Sequence, residues 1–198
     1  MKDIVIIQYN AGNVRSVLFA LERMGVHATL TGDHDCIRQA DKVIFPGVGE
    51  ASSTMAYLRR HGLDEVIRSL TQPVLGVCLG MQLLCTHSEE NDTECLGIIP
   101  QQVKRFVPKN QSEHKVPHMG WNAIHREPGS FLPESVEGEY VYFVHSYYAE
   151  QGPYTAATCN YIEPFSAAMQ KDNFVATQFH PEKSGPVGAR ILEQFVKG

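Results

Sequence analysis

Pro73-Val74-Leu75-Gly76-Val77-Cys78-Leu79-Gly80-Met81-Gln82 is an apolar run short enough for a buried strand, which stops on a thiol between glycines and then turns helical. Gly76 and Gly80 make the pattern G-x-C-x-G, the thiol counterpart of the G-x-S-x-G elbow, in which small neighbours permit a tight, strained strand-to-helix turn. A cysteine placed there projects from the sheet edge, and the N-terminus of the following helix favours its thiolate. The same segment also reads as a strand ending on a buried core cysteine, the commonest fate of that residue. The rest of the chain decides between them.

Outward from this segment the same theme recurs. Ile4–Ile7 is a β-branched run followed by Asn10-Ala11-Gly12-Asn13, and then by Val14, Val17, Leu18, Leu21 and Met24 at helical spacing, closed by Gly25. Strands are expected at 28–30, 42–45 and 74–77, and helices at 55–60, 63–70 and 79–85. Continuous apolar strands alternating with amphipathic helices predict an α/β fold: an open, mostly parallel twisted sheet with helices on both faces and catalytic groups at the strands' carboxyl ends. From about Gly97 the segments become short, alternating or aromatic, at 102–107, 140–144, 154–159 and 174–178, which predicts antiparallel strands in the C-terminal half. A last helix over 186–196 places Val187, Ile191, Leu192 and Phe195 on one face. With no internal repeat, low-complexity tract or linker, residues 1–198 are expected to form a single domain.

The 198 residues are 43% hydrophobic, ample for a buried core. A net charge of -5 without any long Lys/Arg run argues against a nucleic-acid surface, because phosphate binding needs a clustered basic footprint. Only a four-residue apolar run, Ile4–Ile7, precedes Gln8 at the N-terminus, too short for a signal peptide, and no stretch approaches the ~20 residues that span a bilayer. The five cysteines, Cys36, Cys78, Cys85, Cys95 and Cys159, are odd in number and lack C-x-x-C spacing. Neither a disulfide framework nor a metal site is expected. The chain reads as cytoplasmic, without membrane or nucleic-acid partners.

A nucleophilic cysteine needs a base, and the base needs a group to hold it. Gln178-Phe179-His180-Pro181-Glu182-Lys183 supplies both, with His180 just beyond a strand end. Pro181 biases His180 towards extended geometry, in which residues two apart point the same way, so Glu182 can flank the imidazole and fix its tautomer. Taken alone, H-P-E reads more often as a surface turn with a solvated acid; beside an elbow cysteine the balance reverses. Phe45-Pro46-Gly47-Val48-Gly49-Glu50 is a Gly-rich turn directly after a predicted strand, placed to aim backbone N–H groups of Gly47 or Val48 at an oxyanion beside the Leu79 amide. An ordinary strand-to-helix turn would use the same glycines, and no phosphate-loop pattern is present.

Gly76-Val77-Cys78-Leu79-Gly80-Met81-Gln82 together with Phe179-His180-Pro181-Glu182 resembles the class I, or triad, glutamine amidotransferases in motif, order and chain length. Within that family Pro46-Gly47-Val48-Gly49 is similar to the glutaminase subunits of imidazole glycerol phosphate synthase, where most other members carry P-G-G. Tyr9-Asn10-Ala11-Gly12-Asn13, His118-Met119-Gly120-Trp121-Asn122 and the 142–148 segment resemble the same group, so the likeness spans essentially the whole chain.

The resemblance implies that Cys78 attacks the side-chain amide of L-glutamine, that His180 protonates the departing ammonia and activates water, and that Glu182 orients His180. It implies no cofactor. Gly49, Gln82, His145, Ser146 and Tyr147 would hold the amino and carboxylate groups of glutamine, although Gln82 also reads as a helix-surface residue and Ser146-Tyr147 as a strand end. The implied partner is a separate cyclase subunit, forming a heterodimer that makes imidazole glycerol phosphate in histidine biosynthesis. Asn10, Asn13, Trp121, Tyr142 and Lys183 match positions facing that partner. By residue type alone, Trp121 and Tyr142 read more often as core residues, and Lys183 as a free surface charge. Val48, β-branched where other members have glycine, predicts an oxyanion amide that points away until partner and nucleotide bind. The rival readings are a glutaminase subunit serving pyridoxal phosphate or anthranilate synthesis, a cysteine peptidase, and a non-enzymatic interaction module.

Overall fold

The computed structural model describes residues 3–9, 14–109 and 115–198. Its elements begin with strand β1 (Ile4–Ile7), helix α1 (Val14–Arg23), β2 (Ala28–Thr31), α2 (His34–Gln39), β3 (Lys42–Gly47), α3 (Ala51–Arg60), α4 (Leu63–Arg68), β4 (Val74–Cys78) and α5 (Leu79–Leu84). The second half adds β5 (His87–Ser88), β6 (Thr93–Glu94), β7 (Gln102–Arg105), β8 (His118–Ala123), β9 (His125–Arg126), β10 (Tyr140–His145), β11 (Tyr147–Ala149), β12 (Thr155–Tyr161), β13 (Glu163–Lys171), β14 (Phe174–Thr177) and α6 (Gly185–Lys197).

Eight strands form the main sheet in the order β2-β1-β3-β4-β14-β13-β12-β9. The run from β2 to β14 is parallel and the remainder antiparallel. Alternation along the parallel strands explains how both faces are covered. Val5, Ile7, Val43 and Phe45 pack with residues of α2, α3, α4 and α5, whereas Ile4, Ile6 and Ile44 pack with α1 and α6. Continuous apolar strands are what such two-sided burial requires. Residues from the second half, Val103, Ala149, Met169 and Ala176, join the first of these clusters.

Three local expectations change. β14 is antiparallel to β13 but runs parallel to β4 on its other edge, with Thr177 opposite Val77. Phe174 and Ala176 pack towards one face and Val175 towards the other, so β14 is buried as a central strand. Helix α3 starts at Ala51 rather than 55, because the Glu50 carboxylate accepts the N–H groups of Ser52 and Ser53 at 2.7 and 2.8 Å and caps it there. Helix α2 had no apolar period to announce it; only Ile37 of its residues is buried, and Asp33 caps it by accepting the Cys36 N–H at 2.8 Å. Among the described residues no helix is long and apolar enough to cross a membrane.

Candidate active site

β3, β4 and β14 end level with one another, Gly47 lying opposite Cys78 and Val77 opposite Thr177. Three segments far apart in sequence therefore leave the sheet side by side: the 47–49 turn, Cys78, and the stretch 178–182. Cys78 has φ 53 and ψ -109. Such a conformation costs a residue with a β-carbon on the order of 1–3 kcal/mol and persists only where its surroundings enforce it. The flanking glycines provide that enforcement by clearance. A β-carbon on Gly80 would sit 2.0 Å from the Phe45 carbonyl oxygen, one on Gly47 2.5 Å from the Gly80 nitrogen, and one on Gly76 3.0 Å from Leu84 Cδ1. The first turn of α5 thus packs directly onto β3 and holds the elbow at Cys78. The helix spans six residues, Leu79–Leu84, and Cys85 is already extended.

The His180 ring is buried, with Nδ1 2.8 Å from Glu182 Oε1. A carboxylate only accepts, so Nδ1 carries the proton and Nε2, which has no hydrogen-bond partner, is the basic nitrogen. Burial would push this imidazole down, but the Cys78 sulfur and the Glu182 carboxylate outweigh it and hold the pKa up at about 10. The expected pairing of His180 with Glu182 is present, for a different reason from the one the sequence suggested. His180 is extended at φ -96, but Pro181–Lys183 form a 3-10 turn that folds the carboxylate back onto the ring. The backbone is tied in place: His180 N–H donates to the Tyr142 carbonyl at 3.0 Å, and the Ser184 hydroxyl donates to the His180 carbonyl at 2.7 Å.

Cys78 and His180 line a cavity of about 410 Å³ together with Val48, Gly49, Leu79, Gln82, Ser146 and Tyr147, all named from the sequence. His145 also borders it, but its ring is engaged elsewhere: Nδ1 lies 2.7 Å from the Tyr147 carbonyl and Nε2 3.1 Å from His118 Nδ1. The ring supports the pocket wall instead of presenting a free polar atom. Two polar residues escaped the sequence reading. Glu90 lines the cavity and accepts the Ala51 N–H at 2.8 Å; burial, with the nearby Glu50 charge, raises its carboxyl. It sits in an irregular turn, where no pattern marks it. Gln178 donates from Nε2 to Cys78 Sγ at 3.7 Å and accepts from Gln82 at 2.9 Å. The period-two argument applied to Glu182 would have found it on the other side of His180.

Of the positions expected to face a partner, Trp121 is 55% exposed and stands edge-on to Tyr142 with ring centroids 6.0 Å apart, while Lys183 Nζ lies 6.0 Å over the Tyr142 ring. Met119 and Tyr140 are exposed on the same pair of strands, β8 and β10. Trp121 is therefore not a core residue. Asn10 and Asn13 lie outside the described residues. All five cysteines are free thiols.

The buried histidines make a pH signature. Burial pushes His118 down to about 4 and His145 down to about 3, the latter also opposed by neighbouring His118 and His180 and partly restored by the Tyr147 carbonyl. An unfolded chain takes up both protons below about pH 6.5 while the folded chain does not, so stability falls as pH drops from there towards 4. His180 has the opposite sign: its raised pKa contributes stability below about pH 6.5 that is lost as pH rises towards about 10. Thermal melts across this range should peak near neutrality. His118→Phe should flatten the acid arm by up to about 2 kcal/mol at pH 5; equal acid slopes in the two proteins would contradict a neutral His118.

Residues 5–198 match the family model described as glutamine amidotransferase class-I. The chain is similar to the imidazole glycerol phosphate synthase subunit HisH of Bacteroides thetaiotaomicron, 56% identical over 193 residues that cover 98% of each chain. It is also similar to the HisH subunit of Escherichia coli, 45% identical over 197 residues covering 98% of this chain and 99% of that one. A crystal structure of a glutamine amidotransferase superposes with a TM-score of 0.74 over 98% of this chain and 97% of that one, at 18% identity, a likeness of fold. The chain belongs to the class I glutamine amidotransferase family and, within it, to the HisH family.

Proposed function

We propose that this chain is the glutaminase subunit of imidazole glycerol phosphate synthase, hydrolysing L-glutamine to L-glutamate and ammonia and passing the ammonia to a cyclase subunit in L-histidine biosynthesis. The observation that carries the reading is the meeting of Cys78 and the His180–Glu182 pair at one 410 Å³ cavity, inside the range of small-molecule sites. The Cys78 thiolate attacks the side-chain carbonyl carbon of glutamine. Leu79 N–H and an N–H of the 47–49 turn stabilise the oxyanion. His180 protonates the amide nitrogen as the C–N bond breaks and ammonia leaves, and then takes a proton from the water that opens the thioester to glutamate. Glu182 keeps the proton on Nδ1 so that Nε2 does this work.

Gly49, Gln82, Ser146 and Tyr147 contact the amino-acid end of the substrate, and Glu90 offers a carboxylate for its ammonium group. Lyase activity belongs to the complex. The cyclase docks on the face carrying Trp121, Tyr142 and Lys183. Residues 1–198 act as one domain, supported by a sheet that draws strands from both halves, and the heterodimer works in the cytoplasm. The β-branched Val48 restrains the oxyanion turn until partner and nucleotide bind.

The test is glutamate release by the chain alone, with a histidine-pathway cyclase, and with cyclase plus its nucleotide. A low rate alone and a rise on the order of 100-fold with both is the expected result. Full activity in the lone chain removes the restraint at Val48. Absence of glutamate in every mixture removes the functional reading, and stimulation by a pyridoxal phosphate or anthranilate synthase partner instead would favour the rival subunits.

A further inference from the structure

One carbonyl decides the direction of a buried chain of hydrogen bonds that ends on the thiol. The Tyr147 carbonyl only accepts, and it takes Gln82 Nε2 at 2.8 Å and His145 Nδ1 at 2.7 Å. Gln82 therefore turns its NH₂ inward, and the second hydrogen of that group goes to Gln178 at 2.9 Å. Gln178 must present Oε1 to it, which leaves the Gln178 NH₂ facing Cys78 Sγ at 3.7 Å. His145, protonated on Nδ1, accepts on Nε2, so His118 donates from Nδ1 at 3.1 Å. Gln178, Gln82, His145 and His118 are all buried; flipping Gln82 would set acceptor against acceptor, and flipping Gln178 donor against donor, inside the core.

We propose that Gln178 is a catalytic residue of this site, its amide N–H stabilising the Cys78 thiolate, and that Gln82, His145 and His118 are positioning residues that hold that N–H towards the sulfur. The proposal rests on Cys78 being the nucleophile. A donor aimed at sulfur favours the anion over the thiol, because hydrogen bonds to ionised acceptors are roughly twice as strong as neutral ones. When water has added to the thioester and the C–S bond breaks, the sulfur takes the electron pair, and the same N–H stabilises the thiolate that leaves. The burial that keeps His118 and His145 neutral preserves the one-way arrangement, since each ring then has a single N–H to give.

The pH dependence of Cys78 alkylation by iodoacetamide, read by mass spectrometry on the intact folded chain, tests this without substrate or partner. Gln178→Leu removes the donor, and the midpoint of the alkylation profile should move up by about one pH unit. Gln178→Glu keeps the bond from Gln82 but turns an oxygen to the sulfur, and should move the midpoint further. An unchanged midpoint in both variants overturns the proposal, as does an equal shift in both, which would reduce Gln178 to packing. If the leucine variant does not fold, the glutamate variant decides alone: a midpoint at the unaltered value overturns the proposal. Glutamate release by the unaltered chain with its partner reports separately on the nucleophile, so an ordered shift without glutamate release would leave the donor in place and remove the glutaminase chemistry.

Discussion

Replacing Cys78 by alanine lowers glutamate release by about four orders of magnitude or more, to the level of the uncatalysed background. Without sulfur no thioester forms, and His180 alone would have to drive water onto an unactivated amide. The fold should survive, because the sulfur's polar contacts are long, 4.0 Å to the Val144 carbonyl and 3.7 Å to Gln178. Glutamine should still bind, since the pocket walls at Gln82, Ser146 and Tyr147 are untouched. Glutamate assays with saturating glutamine, cyclase and nucleotide, paired with a glutamine-dependent thermal shift, measure both. Substantial release from the alanine variant would remove Cys78 from the chemistry. The variant has a second signature: His180 loses the Cys78 charge that, with Glu182, holds its pKa up, so the alkaline loss of stability should weaken.

Gly80→Ala is expected to be the most damaging of the glycine substitutions around the elbow, at Gly47, Gly76 and Gly80. Its new methyl group would lie 2.0 Å from the Phe45 carbonyl oxygen, a backbone atom of β3, which is held between β1 and β4 and cannot shift alone. The first turn of α5 must move instead, and it carries Cys78 and Leu79 with it. Overpacking costs about 1–3 kcal/mol where side chains can adjust; against fixed backbone about 4 kcal/mol is the better expectation. For a chain of this size that lowers Tm by roughly 10 °C, with activity lost because the elbow is displaced. Gly97→Ala is the control: Gly97 has φ +69 but no neighbour within 4 Å of an added carbon, so only local backbone strain is introduced. It should lose about 1 kcal/mol and keep its activity. Equal effects from the two substitutions, in melting and in glutamate release, would contradict the packing account of the elbow.

Much of the parallel half was legible because its strands are buried on both faces and so announce themselves as unbroken apolar runs. Ile4–Ile7, the start of β3 and the strand before Cys78 are of this kind. Helix α2 was not legible, since one buried residue, Ile37, makes no period. β14 was visible as a strand but not as the neighbour of β4, because its apolar pattern suits a central strand of either direction. The candidate site divides in the same way. Cys78 and His180–Glu182 stood out as motifs, and the structure brings their segments together at one cavity. His145 was expected at the substrate, yet both of its ring nitrogens are taken. Trp121, by residue type more often a core residue than an interface one, is exposed.

Local chemistry was therefore written in the sequence: an α/β sheet, a thiol on a glycine-flanked elbow, a histidine with its carboxylate two residues on, and a family defined by their order. These depend on residues within one or two turns of each other, where spacing and side-chain type carry the physics. The tertiary structure alone decided what stands next to what across 100 residues of chain. The level ends of β3, β4 and β14 follow from sheet order and register, and the entry of Glu90 into the cavity and the forced direction of the Gln178 amide follow from contacts between distant segments. Apolar periodicity makes a strand bury its faces, but it leaves the choice of neighbour to the packing of the whole.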